Sequence, residues 1–339
     1  MTTSEHVSLR EHTTFKTGGG ARYLCEVQTL ADLEQALQLA KDAEVPWLVV
    51  GEGSNLLVAD EGYQGVVMKL QHDAVAVQTQ KDAVYITVGA GKNFDELVAE
   101  TVQRGWWGLE NLSHIPGSVG ATPVQNVGAY GVEVSDLITA VEVFDVTIGK
   151  VTELTNQDCR FEYRHSRFKD EPGRYIVWSV TYQLSLEPQP VLHYKDLRER
   201  FGDTVPTQQA VRDAVIDIRA GKFPDWHTVG TAGSFFKNPL ISLELYHSLL
   251  EKYPELPGHI LNDNTVKIPL GWILDKVLHL KGVQDGAVGC YEGQALVIVH
   301  DGSATSSDIV AFAHYVGALV FEVTGITIEW EVTPVGFLR

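Results

Sequence analysis

Three clusters and one pair of carboxylates have residue types and spacings that could do chemistry. Ser234, Lys237 and Asn238 share the glycine-rich segment HTVGTAGSFFKNP. A serine there could act as nucleophile or proton donor, but no GxSxG elbow surrounds it and no His stands in a triad relation to it, so a serine hydrolase is unsupported. Arg160, Arg164, Arg167 and Lys169 crowd the segment CRFEYRHSRFKD, the densest basic patch in an acidic chain. That patch reads either as a solvated turn or as a seat for an anion. The third cluster is backbone. From Asn111 to Val132 there is no Asp, Glu, Lys or Arg, although 21% of the chain is charged. Pro116, Pro123 and the glycines at 117, 120, 128 and 131 break up any long helix in it, so it suits a membrane span only in length. Such a segment is either a packed buried turn or backbone wrapped closely around a ligand, with N–H groups free to face an anion or a ring. Finally, Glu329 and Glu331 fall on one face of an expected strand, Thr327–Phe337.

Composition narrows the chemistry. The 339 residues carry 44 acidic and 26 basic side chains, a formal net charge of −18. That balance argues against nucleic acid or an anionic membrane as the main partner, while leaving room for a small anionic substrate held by a few local cations. Cys25, Cys159 and Cys290 are far apart, and the 12 His are scattered without ligand spacing. Reduced thiols and no metal site are expected. A P-loop is absent. The N-terminal residues MTTSEHVSLREH lack an apolar signal core, so a soluble intracellular protein with no membrane anchor is expected.

The elements that must position these residues follow from periodicity. Gly18–Gly20 lead into a strand at Ala21–Val27, and Thr29 with Asp32 has capping-box spacing ahead of Leu30, Leu33, Leu37 and Ala40 on one helical face. A strand at Trp47–Val50 runs into Gly51-Glu52-Gly53-Ser54-Asn55. This turn could hold a phosphate, but it lacks the third glycine of a dinucleotide fingerprint and reads better as a strand–strand turn. Alternation from Gly62 to Gly91 predicts strands, followed by a helix over Phe94–Arg104, a hairpin of Val141–Val146 with Val151–Leu154, and a strand at Tyr175–Leu186. Pro188 and Pro190 mark a break. A helix from Thr207, with Val211, Val215 and Ile218 on one face, stops at Gly221 and Pro224, where a domain boundary is placed. Beyond it come a helix at Leu243–Lys252, a strand at Ala295–His300, and a long helix opened by Thr305 and Asp308. That last helix turns Ile309, Phe312, Val316, Leu319, Val320 and Val323 inward.

Buried backbone with separated cations suits a large cofactor and a second, anionic substrate, and the motifs make this specific. TTFKTGGGA, GEGSN, GLENLSHIPGSVGATPVQNVGAYG, FEYRHSRF, GTAGSFFKNP, GWILD and IEWEV occur in that order across nearly the whole chain. Together they resemble the UDP-N-acetylenolpyruvoylglucosamine reductases (MurB) of bacterial peptidoglycan synthesis, flavoproteins of the wider vanillyl-alcohol-oxidase-like fold. The segment HYKDL, with Tyr194, is similar to the subfamily that folds a tyrosine loop over its substrate. The resemblance implies an α+β fold: a two-lobed FAD-binding region plus a C-terminal α+β substrate-binding domain. The first lobe would span 1–68. The second would span 69–224, joined by the terminal strand 325–339, and the substrate domain would span 225–324.

The resemblance also implies roles. FAD would be held non-covalently by Gly51, Glu52, Gly53, Ser54 and Asn55, and by Ile115, Pro116, Gly117, Ser118, Gly120, Ala121, Gln125, Asn126, Gly128 and Ala129, with Arg219 as a further contact. NADPH would be the co-substrate. Hydride would pass from flavin N5 to C3 of the enolpyruvyl ether of UDP-N-acetylglucosamine, giving UDP-N-acetylmuramate. Arg164 and Glu331 would polarise the substrate carboxylate, and Ser234 would protonate C2. For Glu331 to act as an acid it must keep its proton, which requires a desolvated pocket. Tyr130, Tyr194, Lys222, Asn238, Lys267 and Gln294 would grip the UDP-sugar. Cell-wall biogenesis, and through it cell shape and division, would be the setting, with a cytoplasmic monomer as the working form. One position departs from the family pattern: Thr333 stands where an arginine is usual. Two further readings share the glycine-rich segments: an alcohol or sugar oxidase of the same wider fold, and a non-catalytic FAD- or nucleotide-binding protein.

Overall fold

Alternation of apolar residues becomes strand pairing through the middle of the chain. The computed structural model describes residues 1–337 and divides into two compact units.

The first unit comprises Met1–Val7, Ala21–Gly53 and Gln64–Ala220. One four-stranded sheet has the order Thr2–Ser8, Gly20–Val27, Tyr63–Leu70, Trp47–Val50. Its last two strands pair in parallel. Helix Leu30–Asp42 connects Gly20–Val27 to Trp47–Val50, and the crossover that parallel neighbours need is made by residues 51–62. The helix begins at the expected capping box: Thr29 accepts from the Asp32 N–H, and the Asp32 carboxylate accepts from the Thr29 N–H. A five-stranded antiparallel sheet follows, ordered Lys150–Thr155, Ile138–Asp145, Tyr175–Ser185, Ala83–Gly89, Val75–Gln80. Val84, Ile86 and Val88 alternate inward into a core shared with Val141, Val143, Val180 and Tyr182. Each such side chain contributes about 1.5–3 kcal/mol on full burial. The Tyr182 hydroxyl meets Thr122 Oγ1 at 2.7 Å, so the centre of this core is pinned to the uncharged glycine-rich segment.

The second unit comprises Ser8–Gly20, Ser54–Tyr63 and the chain from Gly221 onward. Helix Ser306–Thr324 opens on a capping box of Thr305 and Asp308 and closes on Gly325 at φ 71°. It is long and apolar enough, by length and composition, to cross a membrane. Ile309, Phe312, Val316 and Val320 are buried in the core of the unit, with Leu319 and Val323 packed at its margin.

Two strands come out shorter than expected. Ala295–His300 is extended only over Ile298–His300, and the terminal strand Thr327–Phe337 is reduced to Thr333–Val335. The terminal segment changes partners part-way. Residues 329–331 run beside Phe235–Lys237, where the Lys237 N–H donates to Glu329 O (2.9 Å) and the Glu331 N–H to Phe235 O (2.8 Å). From Thr333 the chain pairs in parallel with Leu56–Val58 instead. Glu329 and Glu331 flank Trp330, which bridges Phe236 in this antiparallel stretch, but their surroundings differ: Glu329 is exposed and ion-paired with Lys237 at 2.8 Å, and Glu331 is half-buried.

Candidate active site

In the first unit, the start of the GEGSN turn and the uncharged segment lie against each other. Glu52 bridges them, accepting from the Gly117 N–H (3.1 Å) and from Asn93 Nδ2 (2.6 Å). A Cβ placed on Gly51 would lie 2.1 Å from Ser118 Oγ, so only glycine lets the two backbones approach this closely.

The expectation that N–H groups of the uncharged segment face an anion needs correction. Those of Val119 and Gly120 donate to Lys92 O and Ala90 O, those of Ala121 and Thr122 donate to Ser118 O and Val119 O, and that of Gly117 is held by Glu52. Buried backbone donors must be satisfied, and here the adjoining loop and the short helix Ala121–Gln125 satisfy them. The segment therefore contributes shape more than donors. Asn126 is turned inward as well. It takes a left-handed conformation at the end of that helix, its amide donates to Glu133 Oε2 and Glu162 O, and its carbonyl oxygen accepts from the Ser135 N–H.

The basic patch is largely neutralised from within. Arg160 and Arg167 both bond Glu171, and Lys169 donates to Gln125 Oε1 and Arg164 O. Arg164 differs from its neighbours, because its guanidinium donates to the carbonyls of Asn126 (3.2 Å) and Gly128 (2.7 Å). Of the four cations expected at an anion seat, Arg164 bonds the backbone of the uncharged segment and Lys169 reaches it through the Gln125 side chain. Arg219 donates to His114 O (3.0 Å), the residue before Ile115. Burial pushes its pKa down, yet a guanidinium stays charged in proteins. Tyr130, at φ 49° and 7% exposed, is pushed up to about 12 by burial. Its ring meets that of Tyr194 edge-on, with centroids 5.2 Å apart. These residues fit FAD: a charged arginine beside Ile115-Pro116-Gly117 suits a diphosphate, and an uncharged, close-packed backbone suits a flat ring system.

In the second unit, Ser234 is half-buried and bridges Val297. The next residue, Phe235, donates its N–H to Leu296 O (2.8 Å) and accepts from the Glu331 N–H. The structure thus brings the Ser234 and Glu331 backbones onto neighbouring segments, far apart as they are in sequence. Asn55 takes part here too: its side-chain amide donates to Glu331 O at 3.0 Å, a role no sequence pattern signalled. Asn238, Lys267 and Gln294 gather about Lys267–Gly271. Asn238 Oδ1 accepts from the Leu270 N–H at 2.9 Å, and a Cβ on Gly271 would lie 2.8 Å from Gln294 Oε1. Gly221, the residue before Lys222, lies against Gly293, the residue before Gln294: a Cβ on Gly293 would be 2.6 Å from Gly221 O. Thr333, at the position where arginine was anticipated, is exposed and donates its N–H to Asn55 O.

Similarity to known proteins follows the same division. Residues 21–155 match an FAD binding domain, and residues 225–335 match the C-terminal domain of UDP-N-acetylenolpyruvoylglucosamine reductase. The chain is 41% identical to the UDP-N-acetylenolpyruvoylglucosamine reductase of Cupriavidus pinatubonensis, over 96% of this chain and 97% of that one. It is 40% identical to that of Escherichia coli K12, over 97% and 96%. Among solved structures, the reductase of Thermus caldophilus is similar with a TM-score of 0.70 at 27% identity, covering 97% of each chain.

Proposed function

This chain belongs to the UDP-N-acetylenolpyruvoylglucosamine reductase family, and we propose that it performs the reaction of that family through the residues described above. The protein is a flavin-dependent oxidoreductase. FAD would be held by the Gly51–Asn55 turn, the uncharged segment and Arg219, and when bound would supply a two-electron hydride carrier between NADPH and the enolpyruvyl ether.

The chain's own residues do the rest. As hydride reaches C3, charge grows at C2 and in the substrate carboxylate. Arg164 stabilises that charge, and Glu331 donates a hydrogen bond to it. Ser234 Oγ–H gives its proton to C2, completing UDP-N-acetylmuramate. Serine is a weak acid, but the electron-rich intermediate is a strong base, so a held geometry suffices. Asn238, Lys267, Gln294 and Lys222 bind the nucleotide sugar, with Tyr194 over it and Tyr130 at the edge of the flavin segment. Residues 1–68 and 69–224, the latter with 325–339, form the flavin lobes, and 225–324 the substrate domain. The reading extends to non-covalent FAD and a cytoplasmic monomer in peptidoglycan precursor synthesis, in keeping with three buried free cysteines.

The backbone bond from Glu331 to Phe235, adjacent to Ser234, is the observation that carries this reading. An anaerobic titration tests it. NADPH should bleach the flavin absorbance, and the enolpyruvyl nucleotide should restore it in stoichiometric amount. Restoration only by oxygen would make the protein an oxidase, and a protein that takes up no FAD would end the enzyme assignment.

A further inference from the structure

Two adjacent residues of the motif GLENLSHIPGS, Glu110 and Asn111, are uncharged-core neighbours with no role in the reaction above. Both side chains are almost completely buried, at 1% and 0% exposure. Asn111 Nδ2 donates to two carbonyls, Tyr130 O and Val191 O, each at 2.8 Å. Glu110 Oε2 accepts from the Gly108 N–H (2.8 Å) and from Gln208 Nε2 (3.1 Å), and Gln208 also donates to Trp106 O (2.7 Å). Val191 and Gln208 bracket the inserted segment that carries Tyr194. Its beginning hangs on Asn111 and its end on Glu110.

The segment between them makes apolar contacts besides, through Val191, Leu192 and Tyr194. Pro190, Val191, Leu192 and His193 border an open cavity of about 1200 Å³. Further on, Leu197 packs with Tyr130, Val211, Ala214 and Val215, and Leu192 and Phe201 lie at the edge of this small cluster. Gly131, at φ 88°, leaves room for His193, whose Nε2 would lie 2.6 Å from a Cβ there. The arrangement also carries a cost. Asn111 Oδ1 and Gln208 Oε1 are buried without hydrogen-bond partners, which native folds rarely tolerate without a reason. An apolar residue at either position would remove that cost and lose the tether.

We propose that Glu110 and Asn111 form a positioning pair that clamps both ends of the 191–208 segment and so sets where Tyr194 stands over the UDP-sugar. The proposal rests on the reductase reading for its substrate. The clamp itself is a property of the fold, and neither residue touches the reacting atoms.

The test is Asn111→Leu in the full-length holoenzyme. KM for the enolpyruvyl nucleotide should rise about tenfold, the worth of one to two net hydrogen bonds, with kcat and flavin reduction by NADPH within about twofold. In a Tyr194→Ala background the same substitution should leave KM unchanged, because the clamp acts through Tyr194. Amide exchange should quicken across 191–207 and stay unaltered across 115–125, away from Tyr130, whose carbonyl Asn111 also holds. An unchanged KM, an equal KM rise without Tyr194, or slowed flavin reduction to match would overturn the proposal. If Asn111→Leu folds poorly, Gln208→Leu carries the same expectations at the other end, and failure of both to yield folded flavoprotein would count against a clamp confined to this segment. Wild-type protein that never turns over the enolpyruvyl nucleotide would sink the reductase reading alone, since the exchange measurement needs no substrate and still decides the clamp.

Discussion

The Asn55 side chain holds Glu331: its amide donates to Glu331 O at 3.0 Å, while Asn55 O accepts from the N–H of Thr333, two residues further on, at 2.9 Å. The last residue of the GEGSN turn thereby fixes the segment from Glu331 to Thr333. Asn55→Ala removes the side-chain bond and should destabilise the protein by about 1 kcal/mol. Because Glu331 then loses one of its two supports, kcat should fall about tenfold while FAD is retained. Urea unfolding and steady-state turnover on one preparation separate the two effects. Lost flavin with normal kcat in reconstituted enzyme would instead assign Asn55 to the cofactor.

Ser234→Ala should act on one half-reaction. Removing a proton donor of this kind lowers the rate by about 10²–10⁴-fold, and the loss should appear in single-turnover reoxidation of reduced flavin by the enolpyruvyl nucleotide. Ser234→Cys, which keeps a transferable proton, should recover part of it. Reoxidation at the wild-type rate in Ser234→Ala would remove Ser234 from the mechanism.

One half-buried and one buried carboxyl give opposite pH dependence. Burial pushes Asp95 up, but hydrogen bonds from Arg212 and the His114 N–H pull it further the other way, leaving it below its ordinary 3.8. A depressed folded pKa contributes stability that is present above 3.8 and lost as pH falls through the folded value. Burial raises Glu110 above its ordinary 4.5, so its contribution is fullest below 4.5 and declines as pH rises through the folded value. Asp95→Asn should therefore flatten the loss of stability in acid and cost about 1–3 kcal/mol at neutral pH. Glu110→Gln should flatten the decline on the alkaline side of 4.5. Chemical denaturation from pH 3 to 8 reads both slopes, and parallel curves for variant and wild type would rule out either carboxyl as the source.

The sequence by itself determined the local elements and the family. Capping boxes at Thr29 and Thr305 lie within a few residues of the groups they satisfy, so the helices they open are legible from spacing. Alternation through Ala83–Gly89 and Tyr175–Ser185 marked strands because one face is buried against a single core. The motif order was enough to indicate the flavin-dependent reductase. What tertiary structure alone decided were the partners of groups distant in the chain. Alternation could not show that the terminal segment leaves Phe235–Lys237 for Leu56–Val58, because pleat is a local property and a change of neighbour is not. Nor could residue type show that Arg160 and Arg167 of the 160–169 patch turn to Glu171 while Arg164 and Lys169 reach the uncharged segment. The same holds for Glu110 and Asn111. Their types announce hydrogen bonding, but the carbonyls and amides they hold lie up to 98 residues away, and only the fold brings those together.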